Sequence, residues 1–199
     1  MLIVEGTDLV GKTALCAELL LRLNKAGGKY QYAHLEKPTA AWDPYWDYAE
    51  WIRRHVVQDR FYLSDIAYRW ACGENQRVDW ETARLIDARL RLVGALTVIV
   101  VATPEFLRAQ WEKKTRPEMY GLDLVLRANE AFLNLANLNR AQAMLGPGAG
   151  NLDYDALLMV DGQAYPSDMV PAIEQIVQAY AERQEVVDAA LARRPRTLL

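Results

Sequence analysis

Apolar residues gather along the chain into five short runs, at residues 1–4, 30–35, 55–59, 96–101 and 156–160, each about as long as one strand. Between these runs the period changes. Residues 14–20 are strong helix formers, and Gly27 and Gly28 end that stretch. Asp79 is placed to cap a helix with Ala83, Ile86, Leu90 and Val93 on one face and Arg84, Asp87 and Arg91 on another. Leu124, Ala128, Phe132, Leu135 and Leu138 form a longer stripe, stopped by Gly146-Pro147-Gly148. Ser167 is placed to cap a last helix, with Pro171 in its first turn and Val170, Ile173, Ile176, Val177 and Tyr180 apolar. Strands alternating with helices predict an α/β fold: a five-stranded parallel sheet flanked by helices on both faces. Residues 1–199 read as a single domain, without internal repeat or linker.

Composition narrows the function more than the fold. An apolar content of 52% can fill a substantial core. A net charge of −3 and a pI near 5.5 give no overall basic footprint for nucleic acid, which leaves only a local groove. The two cysteines, Cys16 and Cys72, lie far apart without ligand-spaced histidines, so neither zinc nor a disulfide framework is indicated. Cys16 is expected in the core beneath the first helix. The longest apolar run, residues 95–102, is far short of the ~20 needed to cross a bilayer. The chain opens without a basic region or cleavage pattern, so the expectation is a cytoplasmic protein with no membrane partner. Past Asp188 it becomes rich in Ala and Arg, and the tail reads as a solvated end.

The chemistry starts in the first twenty residues. Gly6-Thr7-Asp8-Leu9-Val10-Gly11-Lys12-Thr13 fits the phosphate-loop pattern G-x-x-x-x-G-K-[ST], with a strand before it and a helix opening at Ala14. Gly6 and Gly11 let the backbone turn so that N–H groups converge on a phosphate. The helix N-terminus adds partial positive charge there. Lys12 is expected to reach the β- and γ-phosphates, and the Thr13 hydroxyl to ligate Mg²⁺. Thr7, Asp8 and Ala14 complete the cradle. No [NT]-K-x-D guanine motif and no D-x-x-G switch follows, which argues against a GTPase.

A second informative stretch, residues 59–69, follows the third strand. Ligands of open parallel sheets bind outside the carboxyl ends of the strands, so Asp59 and Arg60 are expected beside the phosphate loop. A carboxylate there can hold magnesium or accept a proton, and a guanidinium can clamp two phosphate oxygens.

These residues carry a family resemblance. Glu5-Gly6-Thr7-Asp8 followed by Gly11-Lys12-Thr13 resembles the E-G-x-D-x-x-G-K-[ST] loop of thymidylate kinases. Residues 59–68 resemble that family's D-R-[YFH]-x-x-S-x-x-A-Y signature at every fixed position. In motif order, most of the chain is similar to the thymidylate kinase and deoxynucleoside kinase superfamily. The resemblance implies a P-loop NTPase fold with a short lid at about 108–120, ATP and Mg²⁺ as cofactors, a nucleotide substrate and a homodimer. It implies that Asp8 approaches the sugar 3′-hydroxyl of the acceptor, that Arg60 binds the phosphates being joined, and that Asp59 organises metal and acceptor. Ser64 and Tyr68 would face the acceptor pocket. Arg69 stands where the family commonly continues A-Y-Q, so the match stops short of thymine recognition. Leu9 occupies the place of a catalytic arginine that some members carry in this loop and others move to the lid. Residues 103–117 offer Arg108, Lys113, Lys114 and Arg116 as lid cations, of which Arg108 and Arg116 resemble the family's lid arginines best.

Lys37 precedes Pro38 where deoxynucleoside kinases place a glutamate base, with Glu36 displaced by one. A cation suits an acceptor that already bears a phosphate. Of the seven aromatics from Tyr30 to Trp51, Trp42 and Trp46 are the first candidates to stack on a base. His34 and His55 read as packed histidines without a role. The sequence therefore points to a kinase moving the ATP γ-phosphoryl to a deoxynucleoside monophosphate, with a pyrimidine as the expected base. The alternative acceptor is a nucleoside 5′-hydroxyl or a hydroxymethylated base, free or within DNA as in phage-type DNA modification, and only in the last case is nucleic acid a partner. A non-catalytic nucleotide switch is a further alternative.

Overall fold

The computed structural model describes residues 1–35, 43–114, 120–144, 156–160 and 169–193. Strand β1 (Leu2–Gly6) is buried at every residue, because it lies in the middle of a parallel sheet. To one side stand β3 (Val56–Asp59) and then the edge strand β2 (Gln31–His34); to the other stands β4 (Leu96–Ala102). The side chains of these four frame the site. A fifth strand, β5 (Ala156–Val160), pairs in parallel with β4 from Val98↔Ala156 to Ala102↔Val160, giving the order β2-β3-β1-β4-β5. The register sets Val4 beside Asp59 and Gly6 beside Val100, so the phosphate loop and the Asp59–Arg60 pair leave the same end of the sheet.

Alternation along β1 sends successive side chains to opposite layers. Ile3, with Ile99 and Val101 of β4, packs under α2 (Pro44–Trp51), α3 (Tyr62–Cys72), α4 (Trp80–Leu92) and α6 (Leu122–Met144). Leu2 and Val4, with Val57, Val98 and Val100, pack under α1 (Lys12–Lys25), α5 (Pro104–Glu112) and α7 (Val170–Ala192). Each large side chain so buried contributes about 1.5–3 kcal/mol. Cys16, fully buried on α1, lies in this second layer as expected.

The helices start where their caps allow. Asp79 accepts from Thr82 N at 2.7 Å, as its position predicts. Asp43 accepts from Tyr45 N and Trp46 N, and Thr103 from Phe106 N; in both helices proline takes the first position. Two expectations need correction. Asp87 does not share the solvated face of Arg84: it sits four residues from Ala83, is buried, and accepts from the Tyr62 hydroxyl. Residues 108–112, where the lid is expected to begin, lie on α5 next to buried Phe106 and Leu107. Val170 is 36% exposed, although it opens the apolar stripe of α7. Ser167 lies outside the described residues.

Candidate functional site

At the end of β1 the chain must pass close under β4. A Cβ on Gly6 would lie 2.3 Å from the Val100 carbonyl oxygen, and its φ is +148°. No side chain fits there. The loop then takes Leu9 (φ 70°) and Gly11 (φ 81°) through the left-handed region. For Leu9 that conformation costs of order 1 kcal/mol, a strain characteristic of ligand-holding turns. Gly11 is the N-cap of α1 and has no capping side chain; Leu15 N to Gly11 O, 3.0 Å, is the helix's first bond. The N–H groups of Lys12, Thr13 and Ala14 therefore have no intrahelical acceptor and stand at the positive end of the helix. Lys12 is 6% exposed and its Nζ donates to the Thr7 carbonyl at 2.5 Å. Burial, and next the nearby Arg60, lower its pKa to about 8 against the pull of Asp8, Asp59 and Glu5.

β3 delivers two charged residues to this loop. Asp59 is 1% exposed. Its Oδ2 accepts from the Thr13 hydroxyl at 2.9 Å and from the Tyr32 hydroxyl at 3.0 Å, with His34 Nδ1 3.5 Å away. Its Oδ1 is buried with no hydrogen-bond partner. A buried carboxylate oxygen left bare beside a phosphate-loop threonine is the donor set that a hard divalent cation needs, so the residues fit Mg²⁺. Among the described residues no three His, Cys, Asp or Glu cluster into an all-protein metal site.

Arg60 follows with φ 68°, a left-handed turn secured by its N–H to Val4 O at 3.0 Å. The turn aims its guanidinium at the loop, where it pairs with Asp8. The other Asp8 oxygen accepts from the Tyr68 hydroxyl at 2.8 Å, and the same hydroxyl lies 3.1 Å from Asp8 N and 3.3 Å from Thr7 Oγ1. The guanidinium lies over the Tyr68 ring, 5.2 Å from its centroid, and Tyr120 packs on that ring at 5.4 Å. Tyr68 occupies this place because α3 is fixed from below. Glu5, fully buried in β1, accepts from Leu63 N at 3.0 Å and from Ser64 Oγ at 2.5 Å, so it caps α3 from another element. Its burial outweighs these bonds and raises its pKa to about 7.

The structure thus gathers Gly6, Thr7, Asp8, Gly11, Lys12, Thr13, Ala14, Asp59, Arg60 and Tyr68 around one strand end. Ser64 stands apart: its hydroxyl is committed to Glu5, beneath the site. Arg108 lies half-exposed on α5, 3.6 Å from Glu105. Trp46 is exposed on α2, with its ring 5.0 Å from that of Tyr45. Lys37, Trp42 and Arg116 lie outside the described residues. Sequence reasoning passed over Glu5 as a helix anchor, and it also missed Tyr32, His34 and Tyr120. Parallel pairing of His34 with Asp59 puts Tyr32 and His34 on the face of Asp59, a signal that alternation along 31–34 already carried.

No family model matches the chain. No curated protein matches it significantly in sequence. Its fold is similar to that of YorR from Bacillus subtilis, solved in complex with phosphorylated GDP, at 16% identity and a TM-score of 0.61, over 91% of this chain and 97% of that one. The fold is therefore α/β and P-loop-like, a parallel sheet flanked by helices, and the likeness does not narrow it to thymidylate kinases. Among the described residues no helix is long and apolar enough to cross a membrane.

Proposed function

We propose that this protein is a nucleotide kinase that transfers the γ-phosphoryl of ATP to a deoxynucleoside monophosphate, with a pyrimidine as the first acceptor to test. One observation carries the reading: Asp59 and Arg60 emerge against the phosphate loop, one bonded to Thr13 and the other to Asp8. A loop that merely bound a nucleotide has no need of the second cationic clamp. The nucleotide complex of YorR supports a nucleotide ligand for this fold.

In this reading the N–H groups at the start of α1 and the Lys12 ammonium hold the triphosphate. Thr13 and Asp59 would hold Mg²⁺, which supplies charge neutralisation across the phosphates when bound. Arg60 leaves Asp8 for the phosphate oxygens of the acceptor and brings the attacking oxygen into line with the γ-phosphorus. The bond from that phosphorus to ADP breaks as the bond to the acceptor oxygen forms. Freed of Arg60, Asp8 is an acceptor for a sugar hydroxyl, held in place by Tyr68. Lysine or arginine from residues 108–116 closes over the transferring group, as the resemblance implies.

The test is an acceptor screen that follows ADP release with ATP and each deoxynucleoside monophosphate, nucleosides, guanine nucleotides and hydroxymethylated-base DNA. Acceptor-dependent ADP with a monophosphate supports the proposal. Transfer only to nucleosides or DNA shifts it to the alternative acceptor, and ADP release indifferent to every acceptor ends it.

A further inference from the structure

Asp59 is held asymmetrically. Its Oδ2 takes hydroxyl donors from two elements, Thr13 of α1 and Tyr32 of β2, and faces His34 as well, while Oδ1 has no partner. The edge strand makes this possible. β2 pairs in register with β3, Tyr32 beside Val57 and His34 beside Asp59, so both β2 side chains share the face on which Asp59 meets α1. Packing does not explain Tyr32, which is 42% exposed on a strand that pairs with β3 alone among the described residues. What it does contribute is its hydroxyl, which reaches a carboxylate that is 1% exposed. A carboxylate free to turn about its last torsion could offer either oxygen to the loop. Two hydroxyls on one oxygen remove that choice.

We propose that Tyr32 is a positioning residue, which ties Asp59 by Oδ2 and so reserves Oδ1 for the divalent cation or its bound water. The inference rests on the reading of Thr13 and Asp59 as the metal-holding pair, yet it does not depend on what the acceptor is. The Thr13 hydroxyl can keep its proton on Oδ2 while its lone pair faces the cation, so the Tyr32 bond and the metal do not compete for one atom. Outer-shell bonds of this kind orient metal ligands, and their loss costs about tenfold or more in metal affinity.

The test compares the full-length protein with Tyr32→Phe, which keeps the ring and removes only the hydroxyl. Affinity for a non-hydrolysable ATP analogue is measured by calorimetry without metal, and Mn²⁺ affinity of the nucleotide complex by electron paramagnetic resonance. The expected result is Mn²⁺ binding weakened about tenfold, with metal-free nucleotide affinity within about twofold of wild type. Mn²⁺ affinity unchanged by Tyr32→Phe overturns the proposal. So does an equal weakening of both ligands, which would make Tyr32 a structural residue. No acceptor enters the assay: the tenfold split in a protein that fails every acceptor screen leaves the positioning role standing without the kinase, and an active kinase with unaltered Mn²⁺ affinity in the variant removes the role alone.

Discussion

Glu5→Gln isolates one buried charge beneath the site. Glu5 is fully buried, and its two acceptor bonds, to Leu63 N and Ser64 Oγ, do not offset the loss of water around its ionised form. Its pKa is raised from 4.5 to about 7, so the folded protein holds this proton more tightly than the unfolded chain. Below pH 4.5 both states carry the proton and the residue costs nothing. Between 4.5 and about 7 the unfolded chain has released it and the folded one has not, so stability falls as pH rises. Above about 7 both are ionised and the full cost remains. At about 1.4 kcal/mol per pH unit over that window, the cost is roughly 3 kcal/mol. Glutamine keeps an acceptor for Leu63 and cannot ionise. Urea denaturation followed by circular dichroism, at pH 5 and pH 8, gives the difference in stability between variant and wild type, in which every other titrating group cancels. That difference is expected to move in favour of Glu5→Gln by roughly 2–3 kcal/mol between the two pH values. A difference independent of pH would refute the reasoning, since it would mean that Glu5 pays no more for its charge in the folded protein than in the unfolded chain.

Four further outcomes are expected. Lys12, with its pKa lowered to about 8, is increasingly neutral above that pH, while bound phosphates favour its charged form. ATP affinity is therefore level below pH 8 and falls by up to about tenfold per pH unit above it; calorimetry in two buffers of different ionisation enthalpy would detect the proton taken up, and no uptake at pH 8.5 contradicts the assignment. Lys12→Ala and Arg60→Ala should each lower the transfer rate by about 10²–10³-fold or more with the circular dichroism spectrum unchanged; turnover at the wild-type rate in either ends the kinase reading. Asp8→Ala should raise KM for the acceptor more than KM for ATP, and equal rises in both would mean that Asp8 makes no acceptor contact. Gly6→Ala sets a methyl 2.3 Å from the Val100 carbonyl at a φ that alanine avoids, so stability should drop by about 3 kcal/mol or more. A melting temperature equal to wild type would show that the loop can relax.

What the sequence made legible was backbone necessity. Gly6 and Gly11 stand where a Cβ would strike β4 or where α1 starts from a left-handed residue, and such positions announce themselves by residue type. The Asp59–Arg60 pair was legible because a strand end in a parallel sheet has only one place to go. What stayed hidden was partnership across elements. Asp87 reads as a solvated helix residue until Tyr62, on another helix, supplies its donor. Glu5 reads as part of the loop motif, yet its carboxylate points into the opposite layer and caps α3. Residues 108–112 carry the first cation expected of the lid, Arg108, on α5, a helix that buried Phe106 and Leu107 pin to the core. The same reasoning orders the site itself. β1 sends Glu5 to the α3 layer, and the Val4 pairing sets Asp59 toward α1, so the two carboxylates that brace the site lie on opposite faces of the sheet. Arg60 turns out at a positive φ between them and is the first residue of its strand end released to the loop. A guanidinium placed there is rigid at its root and exchangeable at its tip, where it is held by Asp8. An anionic acceptor that displaces Asp8 thereby gains the clamp without rebuilding the backbone that aims it.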